Sequence, residues 1–209
     1  CVHMRGVPCD MDAIMAIAFA IALGIVSVSR LFAPIFWGED FAPCAYILSA
    51  LALSIPFSGF ANVIRMQYLI PNGMDGAYIL SVILGAVSNL TANSLLIPRC
   101  GALGAAVGTV IAEGVVCAAQ CLAVKKRIDI LAYLKSTAFF GMAGLLMYGA
   151  VQVLDQRAEI TVSWLLLEIV VGGSVYCILS VLYLYHTKNE LLMTALQKLG
   201  GAHQNNDRG

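Results

Sequence analysis

Residues 13–29 read AIMAIAFAIALGIVSVS, an uninterrupted apolar run with no charged side chain. Further charge-free runs lie at residues 41–64, 76–98, 136–154 and 169–187, and residues 102–124 are interrupted by Glu113 alone. A helix needs about 20 mainly apolar residues to cross the hydrocarbon core of a bilayer. Backbone amides must be paired in lipid, and these runs lack the alternating pattern of a membrane β-barrel. The sequence therefore predicts an all-α fold, a polytopic membrane bundle of about six transmembrane helices.

The composition agrees with a membrane environment and argues against several classes of function. Of the 209 residues, 60% are hydrophobic and only 11% are charged, far from the balance of soluble domains. The 12 basic and 12 acidic residues cancel, so the net charge gives no reason to expect nucleic acid as a partner. The cysteines form no CxxC pair, the histidines lie near the chain ends, and the sequence has no phosphate loop or nucleophile-and-base pattern. We expect no metal, no cofactor and no enzymatic activity.

Turn-forming residues divide the chain into six helices and two ends. We predict transmembrane helices at residues 13–36, 44–70, 77–97, 102–124, 132–153 and 162–186. Residues 1–12 begin with Cys1 in place of Met and are interpreted as a truncated or atypical N-terminus. Residues 187–209 carry leucines at helical spacing and then a polar tail, which predicts a cytoplasmic amphipathic segment followed by disorder.

The basic residues are distributed unequally between alternate loops. One side of the predicted bundle holds Arg5, Lys125, Lys126, Arg127, Lys188, Lys198 and Arg208. The other side holds only Arg99 and Arg157. Cytoplasmic loops of membrane proteins are enriched in Lys and Arg, so this asymmetry predicts that both termini are cytoplasmic.

Proline and glycine mark places where the predicted helices bend or pack closely. Pro56 lies near the middle of the second helix, where the loss of one backbone hydrogen bond predicts a kink. Gly104 and Gly108 form a GxxxG pattern in the fourth helix, which favours close packing of another helix. The alternative interpretation of these glycines is a bend that opens a transport gate.

Charged side chains within the predicted helices are costly in lipid unless they face water or a partner. Glu113 lies halfway along the fourth helix. It is interpreted either as a neutral structural residue that is hydrogen-bonded to another helix or as part of a hydrated cavity. Arg65 lies near the cytoplasmic end of the second helix. It is interpreted as an anchor at the membrane interface or, if its side chain faces inward, as a phosphate ligand. Arg30 and Glu168 are expected at the outer rim of the bundle.

Amide side chains supply further polar positions. Asn89 and Asn93 are four residues apart and so share one face of the third helix, while Asn62 and Gln67 extend a polar lining on the second. Such amides bind sugar hydroxyls or form ordinary interhelical hydrogen bonds. The candidates for a substrate cavity are therefore Arg65, Glu113, Asn89, Asn93, Asn62 and Gln67.

Four segments resemble, in order, the C-terminal region of bacterial polysaccharide flippases. They are FWGEDF at residues 36–41, NVIRMQYLIP at 62–71, NSLLIP at 93–98 and GALGAAVGTVIAE at 101–113. The resemblance extends over about residues 30–120. The family belongs to the multidrug, oligosaccharidyl-lipid and polysaccharide exporter superfamily. The resemblance implies that the chain forms one lobe of a two-lobed, MATE-like bundle in the bacterial inner membrane.

The resemblance also implies a function, the flipping of polyprenyl-pyrophosphate-linked oligosaccharides by alternating access for O-antigen or capsule biosynthesis. The implied partners are the lipid-linked oligosaccharide, membrane lipids, the missing N-terminal lobe and polysaccharide assembly proteins. Five candidates fall on patterned positions of the family: Glu113, Asn89, Asn93, Asn62 and Gln67. The assignment of Arg65 as a phosphate ligand is instead our inference from its chemistry.

Two alternatives stay open from the sequence. A cation-coupled multidrug exporter of the same superfamily would need inward-facing carboxylates, and Glu113 alone lies deep enough. A non-transporting membrane scaffold or fragment is the other alternative, suggested by the atypical N-terminus.

Overall fold

The computed structural model describes residues 7–155 and 160–186, which form helices and no strand. The helices are α1 (Val7–Trp37), α2 (Cys44–Ala52), α3 (Ser54–Ile64), α4 (Asp75–Val124), α5 (Ile130–Asp155) and α6 (Val162–His186). A short 3-10 helix (Glu39–Phe41) precedes α2, and a π-helical turn (Arg65–Leu69) follows α3. Within the described residues, five helical segments are long and apolar enough to cross a membrane. This confirms the predicted all-α membrane fold.

Some sequence-based predictions concern residues outside the described part of the chain. These are the start of the predicted N-terminal segment, the amphipathic segment and tail at residues 187–209, and the basic residues Arg5, Arg157, Lys188, Lys198 and Arg208. The orientation of the termini therefore stays a prediction.

The central helix of the bundle is α1, which packs against α2, α3, α5 and α6. Its buried face includes the small residues Ala18, Ala22 and Ala33, which allow neighbouring helices to approach closely. Large apolar side chains cover the outer surface instead, among them Leu90 at 70% exposure and Val153 at 69%. An apolar exterior around a tightly packed interior is expected of a protein whose solvent is lipid.

Helix α4 is a hairpin with two antiparallel arms, residues 75–100 and 102–124. A straight helix of its 50 residues would be roughly 75 Å long, more than twice the thickness of the hydrocarbon core. The reversal occurs at Gly101, whose φ of 55° and ψ of −134° are open only to glycine. The arms then pack through small residues. A Cβ on Gly104 would lie 2.5 Å from the carbonyl oxygen of Leu96.

The segment predicted as one helix over residues 44–70 is divided in the structure. Helix α2 ends at Ala52 and α3 begins at Ser54, two residues before Pro56. The proline ring crowds the carbonyl four residues earlier, that of Ala52, and proline cannot donate a backbone hydrogen bond. The interruption therefore lies one turn before Pro56. Beyond α3, the amide of Ile70 donates to the carbonyl of Arg65 at 3.0 Å, which widens the helix into a π turn.

Side-chain hydrogen bonds connect α1 to its neighbours. The Ser29 and Ser49 hydroxyls lie 2.8 Å apart between α1 and α2. The Tyr176 hydroxyl of α6 donates to the carbonyl of Ala16 in α1 at 2.7 Å. These bonds fix the mutual orientation of helices that have no hydrophobic driving force to associate in lipid.

We expect Tyr176→Phe to lower the free energy of unfolding in detergent by about 0.6 kcal/mol, the usual contribution of one interhelical hydrogen bond. The substitution keeps the ring and removes only the hydroxyl. Tyr185→Phe is the matched control, because Tyr185 lies on the same helix and is 69% exposed. Equal stability of the two variants, measured by denaturant titration, would argue that the Tyr176 hydroxyl does not hold α6 against α1.

Candidate functional site

A cavity of about 500 Å³ lies between α1, α3 with its π turn, and both arms of α4. The wall supplied by α1 is apolar and consists of Ile14, Ile17, Ala18 and Ile21. The opposite side carries the polar groups. The cavity therefore has one surface suited to hydrocarbon and one suited to hydrogen bonding.

Three polar residues of α3 and the π turn face this cavity: Ser58, Asn62 and Arg65. Their spacing of four and then three residues puts them on one side of the helix. Gln67 lies two residues beyond Arg65, so the two side chains are about 200° apart around the helix axis. This explains why Gln67, a predicted cavity residue, does not line the cavity.

Arg65 is held in place by two contacts. Its terminal nitrogen Nη2 donates to Asn62 Oδ1 at 2.5 Å. Its guanidinium carbon lies 5.4 Å from the centre of the Tyr78 ring, a cation–π distance. Among the described residues, no carboxylate forms an ion pair with Arg65. The guanidinium is thus oriented and half-buried, and no ion pair among the described residues neutralises its charge.

The second arm of α4 contributes Glu113 and Gln120 to the same cavity. They are seven residues apart, two helical turns, and so lie one above the other. Glu113 is half-buried and has no hydrogen bond or ion pair with any other residue that the structure describes. Gln120 is 1% exposed. Its amide nitrogen donates to Ser81 Oγ at 3.1 Å, while its Oε1 has no partner.

The structure brings together three of the six candidate cavity residues and places the other three elsewhere. Asn62, Arg65 and Glu113 line the cavity. Asn89 and Asn93 lie in the hairpin of α4, where Asn93 Nδ2 donates to Asn89 Oδ1 at 2.9 Å. Asn93 Oδ1 is buried and directed at the backbone of Gly108 in the other arm. These two amides therefore take part in packing between the arms.

Sequence reasoning missed Gln120 and Tyr78. A signal for Gln120 was present, because its spacing of seven from Glu113 puts both polar groups on one helical face. Tyr78 gave no such signal, since its role depends on the turn at residues 71–73 that brings the start of α4 beside Arg65. A tyrosine near a helix end is ordinarily read as an interfacial anchor.

The charges and polar atoms of this cavity define what it can bind. An unpaired guanidinium attracts an anion and can grip phosphate oxygens through two parallel hydrogen bonds. The Gln120 and Asn62 amides and the Glu113 carboxyl suit hydroxyl or amide groups of a polar ligand. The described residues contain no group of three metal-ligating side chains. The arrangement supports binding of an anionic, hydroxyl-rich amphiphile rather than covalent chemistry.

The prediction that Glu168 lies at the rim of the bundle is wrong. Its side chain is 1% exposed and lines a second cavity of about 330 Å³ between α1, α5 and α6. Its position six residues into the last helix suggested a rim location, but the side chain faces α1 and α5. Arg30 does lie at the surface, with 62% of its side chain exposed, and forms an ion pair with Asp155 at 2.7 Å.

The fold of this chain is similar to that of a solved membrane protein. The structure is that of lipid II flippase MurJ in an inward closed conformation, with a TM-score of 0.73. The two sequences are 20% identical, and the match covers 85% of this chain and 38% of the MurJ chain. The chain therefore spans less than half the length of that protein. No protein-family model matches the sequence, and no curated protein matches it significantly. The similarity establishes the fold.

Proposed function

We propose that the chain is one lobe of a flippase that moves polyprenyl-pyrophosphate-linked oligosaccharides across a bacterial inner membrane. The observation that carries the proposal is Arg65, a half-buried arginine that faces a membrane cavity and forms no ion pair with any acidic residue that the structure describes. Burying an uncompensated charge is costly, so a site that keeps one is expected to receive the opposite charge from its ligand. A pyrophosphate group supplies that charge.

The other residues of the cavity suit the sugar and the polyprenyl chain of such a substrate. Asn62, Glu113 and Gln120 line the same cavity with amide and carboxyl groups, which can form hydrogen bonds with sugar hydroxyls. The apolar wall of α1 suits the start of a polyprenyl chain, whose remainder would stay in the bilayer. The fold shared with a lipid II flippase supports a lipid-linked substrate in general. Alternating access would then be a rocking of this lobe against a second one.

Orientation follows from the positive charges at one end of the bundle. Arg127 of the turn after α4 lies beside Met74, which begins α4 after the π turn. The end of the bundle that carries Arg65 is therefore also the end that carries Lys125, Lys126 and Arg127. With that end in the cytoplasm, as the charge distribution predicts, the cavity would receive the phosphate from the side where lipid-linked sugars are made.

The proposal is tested by measuring ligand binding to the full-length protein in lipid nanodiscs by native mass spectrometry. We expect binding of a polyprenyl-pyrophosphate oligosaccharide and much weaker binding of the same oligosaccharide on a neutral polyprenol. Free inorganic pyrophosphate should compete with the first ligand. Equal binding of the charged and neutral lipids would contradict the proposal.

A cation-coupled multidrug exporter is the second candidate, and Glu113 is the observation that favours it. Its carboxyl lies in the same cavity and has no hydrogen bond or ion pair with the residues that the structure describes, as a site for a lipophilic cation requires. The positive charge of Arg65 in that cavity opposes this assignment. We expect Glu113→Gln to change drug resistance of producing cells less than twofold, a difference below about 0.4 kcal/mol. Abolished resistance, measured as growth with cationic drugs, would instead favour the exporter.

A further inference from the structure

A second polar site lies among α1, α5 and α6, and it is centred on Glu168. This glutamate is 1% exposed, and neither carboxyl oxygen has a hydrogen-bond partner among the described residues. It lines a cavity of about 330 Å³ whose other walls are mainly apolar, including Ile21, Val28 and Val151. A buried carboxylate without partners is unfavourable in such surroundings. The site therefore calls for something that removes the negative charge.

Among the described residues, the cation nearest to this site already has a partner. Arg30 of α1 donates through Nε to Asp155 of α5 at 2.9 Å and through Nη2 to the Asp155 carbonyl at 2.9 Å. Of the described residues, Asp155 and Arg30 are the charged groups that act on Glu168, and Asp155 acts the more strongly. The trio would carry one net negative charge if both acids were ionised. Because Arg30 is paired with Asp155, it is not available to neutralise the charge of Glu168.

The geometry limits what could neutralise Glu168. The mainly apolar lining disfavours an ammonium group or a hydrated ion, which would lose its water there without gaining other hydrogen-bond acceptors. A bare metal cation would need several oxygen ligands. The hydroxyls that line this cavity are used elsewhere, since Ser27 donates to the carbonyl of Leu23 and Tyr176 to that of Ala16. A proton needs neither space nor further ligands.

We propose that Glu168 is a proton-binding site of the bundle, neutral while its cavity stays dry. The Arg30–Asp155 ion pair sets this state, because it withholds from Glu168 the nearest cation of the part of the chain that the structure describes. Water that entered the cavity would solvate the carboxylate and allow the proton to leave. The entry of water into this cavity and the loss of the proton from Glu168 would then occur together. The proposal concerns a different cavity from that of Arg65 and does not rest on its function.

The test uses dicyclohexylcarbodiimide, an apolar reagent that adds to protonated carboxyl groups in hydrophobic surroundings. The full-length protein in nanodiscs is treated at neutral pH, and the adducts are located by peptide mass spectrometry. We expect labelling of Glu168 to exceed that of Glu39 by roughly tenfold, because the reagent favours carboxyl groups in apolar surroundings and Glu39 is exposed to water. Glu168→Gln should remove the adduct from the α6 peptide. Equal labelling of Glu168 and Glu39 would overturn the proposal.

Asp155→Asn separates proton binding from burial alone. Glu168 remains present, but Arg30 loses its partner and is free to pair with Glu168, which would then be ionised. We expect labelling of Glu168 to fall by roughly fivefold or more, whereas Glu39 labelling stays the same. Asp12 lies at the other end of α1, so Asp12→Asn is the matched control and should leave Glu168 labelled. Unchanged labelling in Asp155→Asn would show that the ion pair does not set the state of Glu168.

Discussion

Replacing Arg65 by alanine should weaken binding of a polyprenyl-pyrophosphate oligosaccharide by roughly 10- to 100-fold. A hydrogen bond to a charged group contributes about 1.5–3 kcal/mol, and each 1.4 kcal/mol corresponds to about a factor of ten in affinity. Arg65 is already oriented by Asn62 and Tyr78, so little side-chain entropy is lost when a phosphate binds. The affinity is measured by titration of the full-length protein in nanodiscs.

Two further variants separate the charge of Arg65 from its geometry. Arg65→Lys keeps the positive charge but loses the planar fork, so its affinity should be intermediate. Arg99→Ala is the matched control, because Arg99 is exposed at the turn of the α4 hairpin and does not line the cavity. Its affinity should equal that of the wild type. An Arg65→Ala variant that binds as tightly as the wild type would remove the phosphate assignment.

The second large effect is expected at Gly104, where the arms of the α4 hairpin touch. The added Cβ of Gly104→Ala would lie 2.5 Å from the Leu96 carbonyl oxygen and 2.6 Å from its carbon. Because these are backbone atoms, the rotation of a side chain cannot relieve the clash, and the two arms must move apart. Overpacking of this kind typically costs about 1–3 kcal/mol. Thermal unfolding in detergent, followed by circular dichroism, measures the loss.

Gly114 offers a matched control for this substitution on the same arm. A Cβ there would have no atom within 4 Å, so Gly114→Ala removes flexibility without a clash. Alanine is favoured over glycine in a helix by about 1 kcal/mol, and the control should be as stable as the wild type or slightly more so. If Gly104→Ala were as stable as Gly114→Ala, the close approach of the two arms would be contradicted.

The membrane fold could be predicted from the sequence because it depends on local properties. Runs such as residues 13–29 are apolar over the length that a bilayer requires, and lipid leaves helices as the only option for them. The α4 hairpin was visible too, through Pro98 and Gly101 between two apolar runs. Pro56 predicted a kink, but the structure divides the segment at Leu53 because the proline ring acts on the preceding turn.

The candidate site could be predicted only in part, because a cavity depends on which faces meet. Arg65, Asn62 and Glu113 were identified as charged or polar residues that lipid does not tolerate, and they do line one cavity. Asn89 and Asn93 have the same chemistry but face the other arm of α4. Glu168 was misplaced for a similar reason. The position of a residue along a helix predicts its depth in the membrane, whereas the burial of Glu168 depends on how α6 packs against α1 and α5.

The most direct test is a flipping measurement in proteoliposomes on this chain together with its second lobe. A fluorescent polyprenyl-pyrophosphate oligosaccharide is placed in one leaflet, and a membrane-impermeant quencher reports its arrival in the other. We expect transfer well above that of protein-free liposomes, and a marked loss of transfer in Arg65→Ala but not in Arg99→Ala. Transfer no faster than in protein-free liposomes, across several sugar chains, would contradict it.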